Sequence, residues 1–182
     1  KEKTDKNNSE KIFRYEKKNN KKISFRGGGR SYGDNILNKN NIVLKLAGNG
    51  DTLNACKQIV NKRKISENVI FDGNLEKKKL NKWFQEIDLY VHLSKGETSS
   101  TSILQALSNG LPIICSKIEG NLNLLRYYKK TPNVYLTNNS EKAIFKNIQL
   151  LFNNKALQFK LGNSAYQSVK KYFNIEKMFY EY

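Results

Sequence analysis

The sequence has few cysteines, few acidic residues and no long apolar run. Its two cysteines, Cys56 and Cys115, lie in apolar surroundings without the spacing of metal ligands. Both are therefore interpreted as small buried hydrophobic residues, not as a metal site or a disulfide. Twenty consecutive apolar residues occur nowhere, and the first residues, "KEKTDKNNSEK", lack the apolar stretch of a signal peptide. We therefore expect no membrane-spanning segment and a cytoplasmic location.

The shortage of acidic residues leaves a large positive charge. Against 16 Asp and Glu stand 33 Lys and Arg, a formal charge of +17. Such an excess attracts nucleic acid, anionic membranes or phosphorylated substrates. The cations are mostly lysine, however, and they are spread along the chain, so a solvated surface is favoured over nucleic-acid binding. A non-catalytic basic binding module stays an alternative, and membrane contact is expected to be peripheral at most, at the inner face.

The length and apolar content fit one good-sized domain with a buried core. The chain has 182 residues, of which 38% are hydrophobic. After residue 40, short apolar runs alternate with segments whose apolar residues recur at helical spacing. This alternation predicts an α/β fold with a parallel sheet covered by helices on both faces. The predicted strands are "NIVLKLAG", "NVIFDG", "DLYVHLS" and "PIICS", and the helices between them are "DTLNACKQIVNKRK", "EKKKLNKWFQEI" and "STSILQALSNG".

The last third is predicted to be helical, with one short strand at residues 133–137 before a helix capped by Ser140.

The pattern divides the chain into three parts. Residues 1–22 form a basic tail, residues 23–41 a glycine-rich segment of uncertain origin, and residues 42–182 the folded domain.

One polar stretch follows the third predicted strand, "SKGETSSTSILQALSNG". In parallel sheets ligands bind at the carboxyl ends of strands, where helix N-termini favour anions. Gly96 permits a sharp turn, and Glu97 is an acid that can accept hydrogen bonds from sugar hydroxyls. Hydroxyl side chains at the helix start can bind phosphate, or they can simply cap the helix while Glu97 is solvated; these residues are Thr98, Ser99, Ser100, Thr101 and Ser102.

A second candidate phosphate loop is "FRGGGRSYGD", residues 25–34. Its glycines allow backbone N–H groups to approach an anion closely, and its two arginines can add charge-assisted hydrogen bonds. The candidate phosphate-binding residues are Arg26, Gly28, Gly29, Arg30 and Ser31.

Residues 42–182 resemble the carboxyl-terminal, donor-binding half of a retaining glycosyltransferase of the GT-B class, family four. The resemblance lies in an ordered set of motifs: a strand followed by "GNG", then "VIFDG", an aromatic helix, "DLYVHLS", a signature related to Glu–seven–Glu, and "ALSNGLPII". An aromatic finish, "YFNIEKMFYEY", also resembles the family. The implied architecture is a Rossmann-like sheet with a helical carboxyl-terminal tail, one half of a GT-B fold.

The resemblance implies roles for individual residues. Glu97 matches the first Glu of the signature, which faces the donor sugar, and it is the candidate catalytic residue. Gln105 occupies the position of the second Glu, which binds the ribose hydroxyls; Gln keeps an acceptor oxygen but loses the charge. Residues 98–100 replace the usual Gly-Phe-Gly loop. Further positions implied to bind the donor are Asn74 and Leu75 against the nucleobase, and Gly48 and Gly50 near the phosphates.

The function implied by this resemblance is transfer of a hexose-type sugar from a nucleotide diphosphate sugar, with retention, to a sugar or lipid-linked acceptor. Polysaccharide biosynthesis is the expected context, and neither a cofactor nor a metal is expected. A GT-B enzyme has two Rossmann-like halves, and this chain has room for one. We therefore expect it to be incomplete alone and to need an amino-terminal acceptor domain, in cis or in trans.

Residues 22–44 have a resemblance of their own. "RGGGRSYGD" followed by "NILN" is similar to the pyrophosphate-binding loop of flavin oxidases of the vanillyl-alcohol oxidase superfamily. It implies FAD bound through residues 27–31. An FAD-binding oxidoreductase fragment is therefore the alternative to a glycosyltransferase.

Overall fold

The computed structural model describes residues 21–26, 42–96 and 98–173. Within these residues, eight strands form one six-stranded sheet and one two-stranded hairpin. The strands are β1 (Lys21–Arg26), β2 (Ile42–Ala47), β3 (Val69–Gly73), β4 (Leu89–His92), β5 (Ile113–Ser116), β6 (Tyr127–Tyr128), β7 (Thr131–Pro132) and β8 (Tyr135–Thr137). The large sheet has the order β3-β2-β1-β4-β5-β8, and every neighbouring pair in it is parallel.

Helices connect these strands. They are α1 (Leu53–Lys62), α2 (Lys77–Gln85), α3 (Thr101–Ser108), α4 (Glu119–Leu122), α5 (Glu141–Phe152) and α6 (Lys155–Tyr172). The predicted parallel α/β architecture is confirmed, as is the short strand expected within residues 133–137. Ser140 caps α5 as expected, because its side chain accepts a hydrogen bond from the backbone N–H of Ala143.

The first strand lies in the middle of the sheet. β1 pairs with β2 on one side and with β4 on the other. The sequence placed the start of the folded domain at residue 42 and divided residues 21–26 between a basic tail and a glycine-rich segment. The described sheet includes these residues, so it begins before the predicted boundary.

Two hydrophobic clusters cover the two faces of the sheet. Alternate residues of β4 point to opposite faces, since Leu89 and Val91 belong to the first cluster and Tyr90 to the second. The first cluster contains residues of α1, α5 and the start of α6, and the second contains residues of α2, α3 and the later part of α6. α6 therefore contributes to both cores, through Leu161 in one and Ala165 in the other.

The predicted core residues of α2 and of the segment directly after it are largely buried. Trp83, Phe84 and Ile87 lie in the second cluster, and Leu80 packs against it partly exposed. Cys115 is fully buried in the same cluster, as expected, whereas Cys56 on α1 is only partly buried. Within the described part of the chain, no helix combines the length and the apolar character needed to cross a bilayer.

A buried asparagine fastens the hairpin to the rest of the fold. The side-chain amide of Asn133 donates to the carbonyl of Leu124 at 3.0 Å and to Oγ of Ser168 at 3.1 Å. Its Oδ1 accepts the backbone N–H of Arg126 at 2.7 Å. The side chain is fully buried. It therefore links the segment before β6 to α6, from a position just before β8.

Candidate functional site

The strand order reverses at one point of the sheet, between β1 and β4. Starting from β1, the chain adds β2 and β3 on one side and then β4, β5 and β8 on the other. The register pairs Arg26, the last residue of β1, with His92, the last residue of β4. Ligands of open parallel sheets bind in the crevice outside the carboxyl ends of the strands, where the order reverses. The candidate site is therefore built from the segments that leave the strands at this edge.

Two turns meet at one end of this edge. The backbone N–H of Gly48, directly after β2, donates to the carbonyl of Gly73 at the end of β3, over 2.7 Å. Both glycines have positive φ, 126° at Gly48 and 64° at Gly73, a conformation that favours glycine. Asn74 follows with an exposed side chain, whereas Leu75 packs against the second core cluster. The structure thus brings together the predicted residues Gly48 and Asn74, which are distant in sequence.

Gly50 and Gly96 are less constrained than the sequence suggested. Neither has its φ in the left-handed region, and a Cβ built on either would meet no described atom within 4 Å. The turn at Gly96 is held instead by Ser94, whose Oγ lies 3.1 Å from the carbonyl oxygen and 3.3 Å from the nitrogen of Gly96. A serine, and not only glycine flexibility, therefore shapes the loop after β4.

The hydroxyl residues at the start of α3 divide into two groups. Ser100 is the N-cap: it is buried, and its Oγ accepts the backbone N–H of Ile103 at 3.4 Å and lies 2.9 Å from Oγ of Ser102, which is also buried. Thr98, Ser99 and Thr101 are exposed. The capping interpretation thus holds for Ser100, while the other three hydroxyls face solvent beside the helix N-terminus.

Gln105 lies one turn into α3. Its backbone carbonyl accepts hydrogen bonds from Oγ of Ser108 at 2.8 Å and Nδ2 of Asn109 at 2.9 Å. Residues four positions apart share a helix face, so the partly buried Gln105 follows the exposed Thr101 on the same side of α3. This places Gln105 one helical turn from the exposed hydroxyl residue Thr101.

A buried histidine lies beneath this helix, and the sequence reasoning did not single it out. His92 is 3% exposed, and its Nδ1 lies 3.5 Å both from the hydroxyl of Tyr90 and from Oγ of Ser102, at the outer limit for hydrogen bonding. It thereby connects the end of β4 to the start of α3. The signal available in the sequence was that the single histidine of the chain lies within the predicted strand "DLYVHLS".

A polar network not predicted from the sequence fixes the loop after β4. The backbone N–H of Ser94 donates to Oγ of Ser116 at 2.9 Å, and that hydroxyl donates to Oδ1 of Asn139 at 2.6 Å. The amide of Asn139 returns to the carbonyl of Ser94 at 2.8 Å. The closed circuit joins the carboxyl ends of β4, β5 and β8, and so anchors the base of the loop that leads to α3.

Some predicted site residues lie outside the described part of the chain. These are Glu97, the candidate catalytic residue, and the glycine-rich positions Gly28, Gly29, Arg30 and Ser31, together with the side chain of Arg26. The backbone of Arg26 ends β1 beside His92, at the point where the strand order reverses.

Comparison with known proteins gives a consistent family. The family described as "Glycosyl transferases group 1" matches residues 34–168. Protein CapJ of Staphylococcus aureus is 29% identical over 154 residues, which cover 79% of this chain and 39% of that protein. An uncharacterized glycosyltransferase of Methanocaldococcus jannaschii is 29% identical over 145 residues, 79% of this chain and 36% of the relative. The chain thus spans about two fifths of the length of these curated relatives.

Solved structures of similar shape carry related descriptions. The C-terminal domain of a glycosyl transferase group 1 family protein (LpcC) from Francisella tularensis aligns with a TM-score of 0.72 at 19% identity, over 85% of this chain and 87% of that one. Anabaena HepE in complex with UDP and glucose aligns with a TM-score of 0.72 at 16% identity, over 97% of this chain and 50% of that one. At these identities the likeness concerns the fold, and it supports neither the flavin oxidoreductase nor the basic binding module.

Proposed function

The chain belongs to the glycosyl transferases group 1 family and has the α/β fold of one half of a GT-B enzyme, and from this premise we propose that it is the donor-binding half of a glycosyltransferase. In this proposal it binds a nucleotide diphosphate sugar and passes the sugar, with retention, to an acceptor. The observation that carries the proposal is the set of exposed hydroxyl residues at the N-terminus of α3, namely Thr98, Ser99 and Thr101. They lie next to the point where the strand order of the sheet reverses, between β1 and β4.

The diphosphate is assigned to the start of α3. The first N–H groups of a helix have no partner within the helix, and the helix dipole favours an anion there. Thr98, Ser99 and Thr101 can add hydroxyl donors. Two exposed lysines at the same edge, Lys95 in the loop after β4 and Lys117 after β5, supply positive charge that attracts a diphosphate.

The nucleoside is assigned to the neighbouring positions. The carbonyl oxygen of the Gln105 side chain can accept hydrogen bonds from the ribose hydroxyls, one helical turn beyond the phosphates. The exposed Asn74 can pair with the edge of the base, and the turn at Gly48 lies beside it through the bond to Gly73. UDP is the first nucleotide to test, because the similar Anabaena protein was solved with UDP and with UDP-glucose.

The transferred sugar is assigned to Glu97. Its carboxylate would hold the sugar hydroxyls and so orient the donor, as the resemblance implies. Attack by an acceptor requires the second half of a GT-B enzyme, so the sugar or lipid-linked acceptor is proposed to bind an amino-terminal domain in cis or in trans. The cellular role consistent with such an acceptor is polysaccharide biosynthesis at the cytoplasmic face of a membrane.

Titration calorimetry of the full chain with UDP, GDP and FAD tests the proposal. We expect one of the two nucleoside diphosphates to bind, with a stoichiometry of one, and FAD to give no specific heat. Tight FAD binding without nucleoside diphosphate binding would support the flavoprotein alternative. RNA binding with a steep dependence on salt, again without nucleoside diphosphate binding, would support the basic binding module.

A further inference from the structure

A group of charged side chains lies on the sheet below the two paired turns. Lys45, in the middle of β2, is 6% exposed. Its Nζ lies 2.9 Å from Oε2 of Glu86 and 3.8 Å from Oδ2 of Asp72. The same Asp72 oxygen accepts the indole N–H of Trp83 at 2.7 Å, and the ammonium lies 5.9 Å from the centroid of that ring. We call these four residues the Lys45 cluster.

The Lys45 cluster places a buried positive charge in the sheet, where an apolar side chain would be usual, and pairs it with two carboxylates. A buried ammonium is tolerated only where opposite charges and hydrogen bonds replace its water. Here the ammonium has two carboxylates and an aromatic face. Asp72 is 19% exposed and Glu86 40% exposed, so the cation is the most deeply buried charge of the cluster. Buried ion pairs contribute little to stability compared with apolar packing, and they can act by fixing one geometry.

The geometry fixed here includes an irregularity in β3. The register pairs Leu46 with Phe71 but Ala47 with Gly73, which leaves Asp72 as an extra residue. Such a bulge bends a strand and changes where its side chains point. The carboxylate of the extra residue is the one held by both Lys45 and Trp83. The cluster therefore holds the bulged end of β3 against α2.

The consequence reaches the edge of the sheet within a few residues. Gly73 directly follows the bulge, and its carbonyl accepts the N–H of Gly48, three residues beyond Lys45 on β2. The relative position of the two turns thus depends on the register of β2 and β3 at the bulge. Asn74, assigned above to the nucleobase, extends from this end of β3.

We propose that Lys45 is a positioning residue of the donor site. Its ammonium draws the Asp72 and Glu86 carboxylates together, sets the bulged end of β3, and so fixes the distance between the Gly48 turn and the Gly73 turn that receive the nucleotide. The inference rests on the proposed function for its ligand. Its structural part, the control of the two turns by Lys45, stands on the described contacts alone.

The test compares Lys45→Met with Lys79→Met in the full chain. Methionine keeps an unbranched stem and removes the charge at both positions. Lys79, on α2, is the matched control, because its side chain is 70% exposed and its Nζ lies 3.7 Å from Oε1 of Glu76, which is exposed as well. Two readouts are taken from each variant: the exchange rate of the Gly48 amide by NMR, and the affinity for UDP and GDP by calorimetry.

Lys45→Met is expected to speed exchange of the Gly48 amide relative to the amide of Ile114 in the core, and to weaken nucleoside diphosphate binding about tenfold, since small displacements of binding groups have large effects. Lys79→Met is expected to change neither quantity by more than about twofold. The inference is overturned if Gly48 exchange is unchanged in Lys45→Met, or if it rises only in step with Ile114, which would indicate general destabilisation.

A second variant keeps the test decisive if Lys45→Met does not fold. Glu86→Gln weakens the closest contact of the ammonium, and because Glu86 is partly exposed the change should disturb folding less. It should change the Gly48 exchange rate and the nucleotide affinity in the same direction as Lys45→Met, by a smaller factor. If the unaltered chain binds neither nucleotide, the proposed function fails. The Gly48 exchange rates still decide whether Lys45 positions the turns.

Discussion

The N–H of Gly48 and the carbonyl of Gly73 are joined by a hydrogen bond of 2.7 Å that ties together the ends of β2 and β3. Gly48 has a φ of 126°, and no described atom lies within 4 Å of a Cβ built on it. Glycine is therefore required at this position by the backbone conformation and not by a lack of room for a side chain. The bond places the turn at Gly48 beside the turn at Gly73, from which Asn74, the residue assigned to the base, extends.

Replacing Gly48 by Ala should therefore destabilise the fold by about 1–2 kcal/mol, through backbone strain alone. Gly50→Ala is the matched control, since Gly50 has neither a positive φ nor a close neighbour among the described atoms. It should change stability by less than about 0.5 kcal/mol. Urea unfolding of both variants measures the difference, and equal losses would contradict the assignment.

Substitutions at two helix caps can distinguish an effect on folding stability from an effect on nucleotide binding. Ser100 caps α3 at the proposed site, and Asn154, which follows the last turn of α5, caps α6. Either change to Ala should lower the free energy of unfolding by about 1 kcal/mol, because one backbone N–H loses its acceptor. Only Ser100→Ala should also weaken UDP or GDP binding in calorimetry. Equal affinities in the two variants would mean that the start of α3 does not hold the diphosphate.

Gln105→Glu should strengthen nucleoside diphosphate binding about three- to tenfold, because a carboxylate accepts stronger hydrogen bonds from ribose hydroxyls than an amide does. Gln149→Glu makes the same change at an exposed position of α5 and controls for altered net charge. Affinities from calorimetry decide the matter. An unchanged affinity in Gln105→Glu, or an equal change in both variants, would remove Gln105 from the ribose site.

Glu97→Gln should reduce the affinity for a nucleotide diphosphate sugar while leaving that for the free nucleoside diphosphate unchanged, because the proposed contact is with the sugar alone. An effect of about 2–3 kcal/mol is expected when a charged hydrogen-bond partner is lost. Glu67→Gln, an exposed change before β3, is the control. Equal losses for sugar-bearing and free nucleotides would contradict the role assigned to Glu97.

Much of the fold was predictable because its signals are local. The first four predicted strands after residue 40 are apolar runs, and the helices between them show apolar residues at helical spacing, so the alternation could be predicted directly from the sequence. β1 was not predicted, since in "KKISFR" only Ile23 and Phe25 are apolar and a lysine-rich stretch and a glycine run lie on either side. The central position of β1 depends on pairing with β2 and β4, which no local pattern reveals.

The candidate site was predictable in outline but not in its supports. Motif order indicated Gly48, Asn74 and the hydroxyls of residues 98–101, and the structure brings Gly48 and Asn74 together through the Gly73 bond. Lys45 was counted as part of an apolar strand, although its charge is buried and paired. Its partner Glu86 is 41 residues away in sequence, and such contacts are fixed only by the three-dimensional packing.

The most direct test of the donor-binding proposal is to map amide chemical shifts of the full chain during titration with UDP and, separately, GDP. The donor-binding proposal predicts saturable shifts for one of them, concentrated at Gly48, Asn74, Thr98, Ser99 and Thr101, with the amides of the hairpin at residues 127–132 unmoved. Shifts confined to that hairpin, or spread over surface lysines without saturation, would contradict it.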